Sequence, residues 1–230
     1  MMLPRHNKYL LMLPLLAALA VHAGQTDQEA KLQEVLNTIA VMDAMSGETI
    51  PPGLLEAAQG IAIIPSVVKV GLVVGERFGK GVVSVRRPTG EWSRPLFVSL
   101  SGGDVGWQIG AQSVDVVLLF ASRRAVDILL SGELTLGVDV LVAAGPFASA
   151  DEKTVPDAAV EIHVYSISRD LFADIDLKRA ALRVEAKDND EYYAQPQVGP
   201  EQVLDDDTDK LPESARLLKR LLRDKTGNES

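Results

Sequence analysis

The sequence contains no cysteine among its 230 residues. Disulfides therefore cannot stabilise the fold, and thiol nucleophiles and cysteine-based metal sites are excluded. Histidine is also scarce, because the chain has only His6, His22 and His163. Zinc sites and serine–histidine catalysis both depend on imidazole, so the sequence holds little material for either. From its alternation with apolar neighbours, His163 is expected on the surface of a strand.

The N-terminal segment has the three parts of a secretory signal peptide. Arg5 and Lys8 precede the apolar stretch from Leu10 to Ala20, and Val21-His22-Ala23 is typical of a cleavage site. The apolar stretch is too short to span a bilayer. We therefore expect cleavage near Ala23-Gly24 and a mature protein that is periplasmic or secreted.

Acidic residues outnumber basic ones, and the net charge is −9 at pH 7. Such a field disfavours nucleic-acid binding. The acids are concentrated late, as in Asp205-Asp206-Asp207, whereas the stretch from residue 69 to residue 94 is basic. Its cations are Lys69, Arg77, Lys80, Arg86, Arg87 and Arg94.

Glycines recur with one parity in two apolar segments. They are Gly71, Gly75, Gly79 and Gly81 in the first segment, and Gly106 and Gly110 in the second. In a strand, residues of one parity share a face, so each segment presents a row of missing side chains. Such a row accommodates either a ligand or a neighbouring backbone, and close packing within the sheet is the stronger interpretation.

Hydrophobic periodicity predicts an α+β fold, with an antiparallel sheet or barrel-like core of short strands and helices packed outside it. Helices are predicted at Asp27–Ser46, Pro52–Gln59, Ser122–Leu130 and Glu213–Arg223. Strands are predicted at Ile61–Ile64, Val67–Gly75, Phe78–Val85, Leu96–Leu100, Gly106–Gln112, Asp115–Ala121, Leu134–Ala143 and Val160–Ser168. The predicted organisation is a signal peptide (1–23), a helical segment (24–59), a β-rich core (60–195) and an acidic linker with an amphipathic helix (196–230).

Several motifs in this order resemble the SYLF domain family. They are Gly60–Pro65, Trp92–Pro95, Gly102–Gln112, Gly137–Asp139, Gly145–Pro146, Tyr165–Ser166, Leu171–Ala173 and Tyr192–Tyr193. The resemblance implies a non-catalytic protein without a cofactor that binds anionic phospholipid at a membrane surface. In the family's eukaryotic members the lipids are phosphoinositides and some members bind actin, while bacterial members are secreted lipid-binding proteins. The alternative is an envelope scaffold or protein-interaction module for which lipid binding is incidental.

One feature departs from the family pattern. Eukaryotic members use an amphipathic N-terminal segment at the membrane, whereas here that position holds a signal peptide followed by a helix with Asp27, Glu29 and Glu34. Membrane insertion by this helix is therefore not expected.

The basic stretch is the candidate site for anionic headgroups. Arginine can hold phosphate oxygens bidentately, and Arg86 and Arg87 are expected to project from a hairpin turn. Trp92 could lie at headgroup depth. The predicted lipid-binding residues are Lys69, Arg77, Lys80, Arg86, Arg87, Arg94 and Trp92. The other interpretation is a solvated, charged strand face.

Four fragments that resemble enzyme or ligand motifs are rejected. Ser66–Lys69 and Lys225–Gly227 match two elements of penicillin-recognising enzymes, but the third element is missing. The acidic run at Asp205–Asp209 lacks the glycine and the final glutamate of a calcium loop, and Gly75–Lys80 has the wrong spacing for a phosphate-binding loop.

Overall fold

The computed structural model describes residues 12–44, 50–70, 76–102, 113–144, 159–168, 171–172, 177, 179–195, 199–205 and 211–227. The helices are α1 (Met12–Ala44), α2 (Pro52–Ala57), α3 (Arg123–Leu130), α4 (Ala186–Tyr193), α5 (Pro200–Asp205) and α6 (Glu213–Lys225). The strands are β1 (Gly60–Val70), β2 (Glu76–Val85), β3 (Leu96–Gly102), β4 (Val114–Phe120), β5 (Glu133–Thr135), β6 (Val142–Ala144), β7 (Ile162–Ser168), β8 (Leu171–Phe172) and β9 (Ala180–Val184). This composition confirms the α+β class.

The nine strands form one curled sheet in the order β5-β9-β3-β2-β1-β4-β7-β6, and β8 pairs with β7. Neighbouring strands are antiparallel except for β6 and β7, which are parallel. The long strands β1, β2, β3 and β4 occupy the centre, where each has a partner on both sides. The predicted antiparallel core is therefore confirmed.

Both faces of the sheet are buried, which explains why its strands read as nearly continuous apolar runs. One face, here called the α3 face, packs Ala62, Ile64 and Phe120 against α3. The opposite α1 face packs Ile61 and Ile63 against α1 and α6. Successive residues of β1 thus enter different cores, as the alternation of strand side chains requires.

A β-bulge interrupts β1 at Pro65 and Ser66. The register with β2 shifts by one residue between Ile63 and Val68, and the register with β4 shifts between Ile64 and Val67. Ser66 has a φ of 54°, in the left-handed region that few non-glycine residues adopt. Strand β1 continues through Pro65 instead of ending there, since proline is tolerated at a bulge.

The bulge brings the β1 backbone against two glycines of β2. A Cβ atom on Gly81 would lie 2.0 Å from the carbonyl oxygen of Ile63, and one on Gly79 would lie 2.7 Å from Val67 Cγ2. For these two residues, the predicted close packing within the sheet is confirmed. Gly71, Gly75, Gly106 and Gly110 lie outside the described residues.

Polar contacts attach the helices to the sheet. The Asp115 carboxylate of β4 accepts hydrogen bonds from the backbone N–H of Ser66 at 2.8 Å and from the Thr38 hydroxyl of α1 at 2.7 Å. Asn189 of α4 acts in a similar way on β3, because its side chain accepts from the Phe97 N–H at 2.8 Å and donates to the Phe97 carbonyl at 3.2 Å. The buried amide therefore continues the hydrogen bonding of β3 just past the end of β9, beside the bond that the Glu185 N–H donates to the Phe97 carbonyl.

Three sequence expectations about the elements are corrected. Helix α1 begins at Met12 instead of Asp27. The single strand predicted at Leu134–Ala143 is divided into β5 and β6 by a turn in which Gly137 has a φ of 71°. Helix α4 was not predicted, because its sequence AKDNDEYY is largely polar and has little amphipathic pattern.

The glycine contact gives a first prediction. Gly81→Ala is expected to lower the free energy of unfolding by about 3 kcal/mol, because the new methyl group would overlap the Ile63 backbone. Gly53→Ala in α2 is the matched control, since no atom lies within 4 Å of its would-be Cβ. Urea unfolding followed by circular dichroism measures both variants. Equal stability of the two would contradict the close packing.

Candidate functional site

Arg86 does not project into solvent as expected. Its Nε donates to the Ala58 carbonyl at 3.1 Å and its Nη1 to the Gly90 carbonyl at 3.0 Å. Its guanidinium also stacks 4.5 Å from the centre of the Trp92 ring. Burial lowers the pKa of Arg86 below its usual value. The side chain therefore connects the start of β1 to the β2–β3 turn.

Trp92 and Arg94 are both buried, each 2% exposed. The indole N–H of Trp92 donates to the Thr226 hydroxyl at 3.2 Å, just after α6. The Arg94 guanidinium lies 4.5 Å from the centre of the Tyr193 ring, at the end of α4. A headgroup could reach either side chain only after the surrounding packing had opened.

Lys80 and Arg87 have acidic partners within the chain. Lys80 Nζ lies 2.8 Å from an Asp188 oxygen, and this hydrogen bond raises the pKa of the lysine. Arg87 lies 3.7 Å from Glu91, four residues along the turn. Both pairs are partly exposed and contribute little to stability. Five members of the predicted site thus have partners within the chain.

The remaining two predicted residues occupy one register position at the far end of β1 and β2. Lys69 and Arg77 are cross-strand partners there. In the preceding register position Val68 pairs with Phe78, and these apolar side chains are 40% and 45% exposed. We call these four residues the tip surface.

The tip surface combines apolar area with two basic residues on adjoining positions of one strand pair. Within the described part of the chain, only Val68, Phe78, Val138 and Leu141 are large apolar side chains that are exposed. Exposed apolar side chains are typical of a protein–protein contact or of a membrane contact. The exposure of Val68 and Phe78 makes the tip surface the candidate contact region of the described residues.

Lys69 and Arg77 are predicted site residues, whereas Val68 and Phe78 are not. Val67–Gly75 and Phe78–Val85 are predicted only as strands rich in valine. The β-bulge in β1 explains why these two side chains are exposed. One extra residue at Pro65–Ser66 sends Val67 into the α3 face and Val68 to the other side, beyond the cover of the helices.

Among the residues that the structure describes, no group of three His, Asp or Glu side chains could hold a metal ion. Burial raises the pKa of Tyr165 to about 12 and that of Tyr193 well above its usual value, so both hydroxyls stay protonated at neutral pH. His163 is half-buried on β7 instead of exposed, since neighbouring Tyr165 packs under the helices.

More than half of the chain matches one family model. Residues 101–225 match the model described as "Ysc84: Las17-binding protein actin regulator". The match starts at the end of β3, so it includes both sheet edges and α3 to α6. It confirms the resemblance drawn from the motifs.

Curated relatives agree with the family match. The chain is 32% identical over 181 residues to "SH3 domain-containing YSC84-like protein 1" of Xenopus laevis, covering 77% of this chain and 54% of that protein. The human protein of the same name is 32% identical over 169 residues, which is 72% of this chain and 49% of that protein. "LAS seventeen-binding protein 3" of Saccharomyces cerevisiae is 31% identical over 150 residues, which is 64% of this chain and 32% of that protein. The chain therefore spans about half the length of the animal relatives and a third of the yeast protein.

Among the described helices, none is both long and apolar enough to cross a bilayer.

The internal position of Arg86 gives a second prediction. Arg86→Ala is expected to lower the free energy of unfolding by about 2 kcal/mol, because it removes two charged hydrogen bonds and the contact with Trp92. Arg87→Ala on the same turn is the control and is expected to cost less than about 1 kcal/mol. Thermal and urea unfolding measure both changes. Equal effects would contradict the internal role of Arg86.

Proposed function

The chain belongs to the SYLF (Ysc84) family, and from this premise we propose that it is a non-catalytic protein-interaction module. The family description and the names of the relatives refer to proteins that bind Las17, regulate actin or carry SH3 domains. None of these names describes an enzyme. Lipid contact is incidental in this proposal.

The tip surface is the proposed docking site. Val68 and Phe78 expose apolar area at the end of a sheet whose other apolar side chains are mostly buried in two cores. A buried aromatic anchor surrounded by polar residues is typical of the residues that contribute most to binding at protein interfaces. Lys69 and Arg77, in the next register position, favour an acidic partner surface.

Actin filaments are the probe that we propose for this site, since the family description names an actin regulator. An exported chain would meet an envelope protein in place of actin, and the filaments stand in for that protein in the test. An acidic surface on the partner would complement the basic residues Lys69 and Arg77. The apolar half supplies the area that desolvates on contact.

Anionic phospholipid is the second candidate ligand, and the pairing of Phe78 with neighbouring cations favours it. An aromatic ring can enter the headgroup region while each nearby lysine or arginine adds about 1 kcal/mol of attraction to an anionic surface. Of the basic residues expected to bind lipid, Lys69 and Arg77 keep this role in the proposal. The internal contacts of Arg86, Arg94 and Trp92 favour a structural role for these three.

We also propose that the protein is exported and that residues 1–23 are removed. Cleavage at Ala23-Gly24 would fall within α1. Among the described side chains of this helix, those that enter the core are Leu32, Val35, Leu36 and Ile39. A mature chain beginning at Gly24 keeps these four residues.

Substitution of Phe78 gives the third prediction. Phe78→Ser is expected to weaken co-sedimentation with actin filaments at least tenfold, because the aromatic anchor is removed without touching either core. Val138→Ser is the matched control, since it removes a more exposed apolar side chain, 66% exposed, from another part of the surface. Flotation with phosphatidylserine vesicles is measured on the same three proteins.

The two measurements separate the candidates. Filament binding that Phe78→Ser weakens and Val138→Ser leaves intact supports the protein-interaction module. Vesicle binding that Phe78→Ser weakens and Val138→Ser leaves intact, in the absence of filament binding, would replace the protein-interaction module with the phospholipid function. Unmodified protein that binds neither filaments nor vesicles would overturn both.

Cleavage gives the fourth prediction. Intact mass spectrometry of the protein recovered from the periplasm of an expressing bacterium is expected to give a chain that begins at Gly24. A cytosolic protein that retains residues 1–23 would contradict export.

A further inference from the structure

A cavity of about 240 Å³ lies between α1, α2, α6 and the first half of β1. Its lining residues are mainly aliphatic, with Ile39 and Met42 from α1, Leu55 from α2, Ile61 from β1 and Leu222 from α6. Four separate elements therefore line it on the α1 face of the sheet, and it is partly open to solvent. It precedes the bulge, whereas the tip surface follows it.

The cavity is large for an unfilled space in a packed core. Cores contain few voids larger than a water molecule, and an aliphatic cavity of about 150 Å³ is enough to bind benzene. Water gains little in such a space because it needs two or more polar partners. The lining therefore favours an apolar guest.

Two charged side chains belong to the same lining. Lys225, near the end of α6, forms an ion pair with Asp43, near the end of α1. The lysine side chain is 26% exposed and the aspartate 51% exposed, so the pair stands between the cavity and solvent. A lysine ammonium carries three donors and can bind a second anion while it keeps Asp43.

We propose that this cavity binds a single-chain anionic amphiphile, with the alkyl chain among the aliphatic side chains and the anionic head at Lys225. Free fatty acids and lysophospholipids share this chemistry. The site is independent of the proposed docking function, because none of its lining residues belongs to the tip surface. It would give the protein a small-molecule ligand in addition to a macromolecular partner.

Chain length is the first test. Calorimetric titration with butanoate, hexanoate and octanoate should show binding that tightens about fourfold for each added methylene, as expected when each one leaves water for an apolar site. An eight-carbon lysophosphatidate is titrated beside octanoate to distinguish the two sources. Alkanoate binding that tightens with chain length, or binding of the lysophosphatidate, supports the site. Binding of neither compound overturns it.

Two variants locate the ligand. Met42→Trp is expected to fill the cavity and abolish octanoate binding, while Ala40→Trp, on an exposed position of the same helix, leaves it unchanged. Lys225→Met is expected to weaken the binding of octanoate about tenfold and to leave the binding of octanol unchanged. Its control is Arg223→Met, which replaces an exposed cation of the same helix. Thermal unfolding of each variant establishes that it is folded.

The outcomes are distinct. Octanoate binding that survives both Met42→Trp and Lys225→Met in folded protein would overturn the site. If Met42→Trp does not fold, the difference between octanoate and octanol binding by Lys225→Met still decides, because the side chain of Lys225 is partly exposed at the end of α6 and belongs to neither core.

Discussion

The close approach of β1 to β2 at Gly81 is the constraint on which the rest of the structure depends. Because glycine has no Cβ, the Ile63 carbonyl can lie where a side chain would otherwise be. The bulge at Pro65–Ser66 then adds one residue to β1 and reverses the faces of the residues beyond it. Asp115 fixes this geometry by accepting from Ser66 and from Thr38 of α1, so the bend and the position of the first helix are coupled.

The division of the surface follows from that bend. Before the bulge, Ile61 and Ile63 enter the core that α1 and α6 cover, and the aliphatic cavity lies beside them. After the bulge, the side chains of Val68 and Phe78 are exposed on the β1–β2 strand pair. The basic residues between these regions serve mostly to join elements, as Arg86 does on Trp92 and Lys80 does on Asp188. The proposed contacts with partners are therefore confined to the ends of the strands and to the helix junction.

The sequence predicts the fold class, most central strands and the helix that Ser122 begins, because these depend on periodicity and capping, which are local properties. It also predicts the tight packing at Gly79 and Gly81. It does not predict α4, because Asn189 of this helix stabilises the fold through two hydrogen bonds to Phe97, which is 92 residues away in sequence. The basic stretch shows the same limit for the site. Charge marks the region, but Arg86 also contacts Ala58, 28 residues earlier, and Arg94 contacts Tyr193 at the end of α4. No local pattern distinguishes these two arginines from Lys69 and Arg77.

Hydrogen–deuterium exchange tests the proposed docking surface most directly. Amide exchange of the whole protein would be compared with and without saturating actin filaments. Protection concentrated at residues 66–70 and 76–80, the paired ends of β1 and β2 beyond the bulge, is the predicted result. Protection confined to the β5 and β6 edges of the sheet, with unchanged exchange around Val68 and Phe78, would contradict the account.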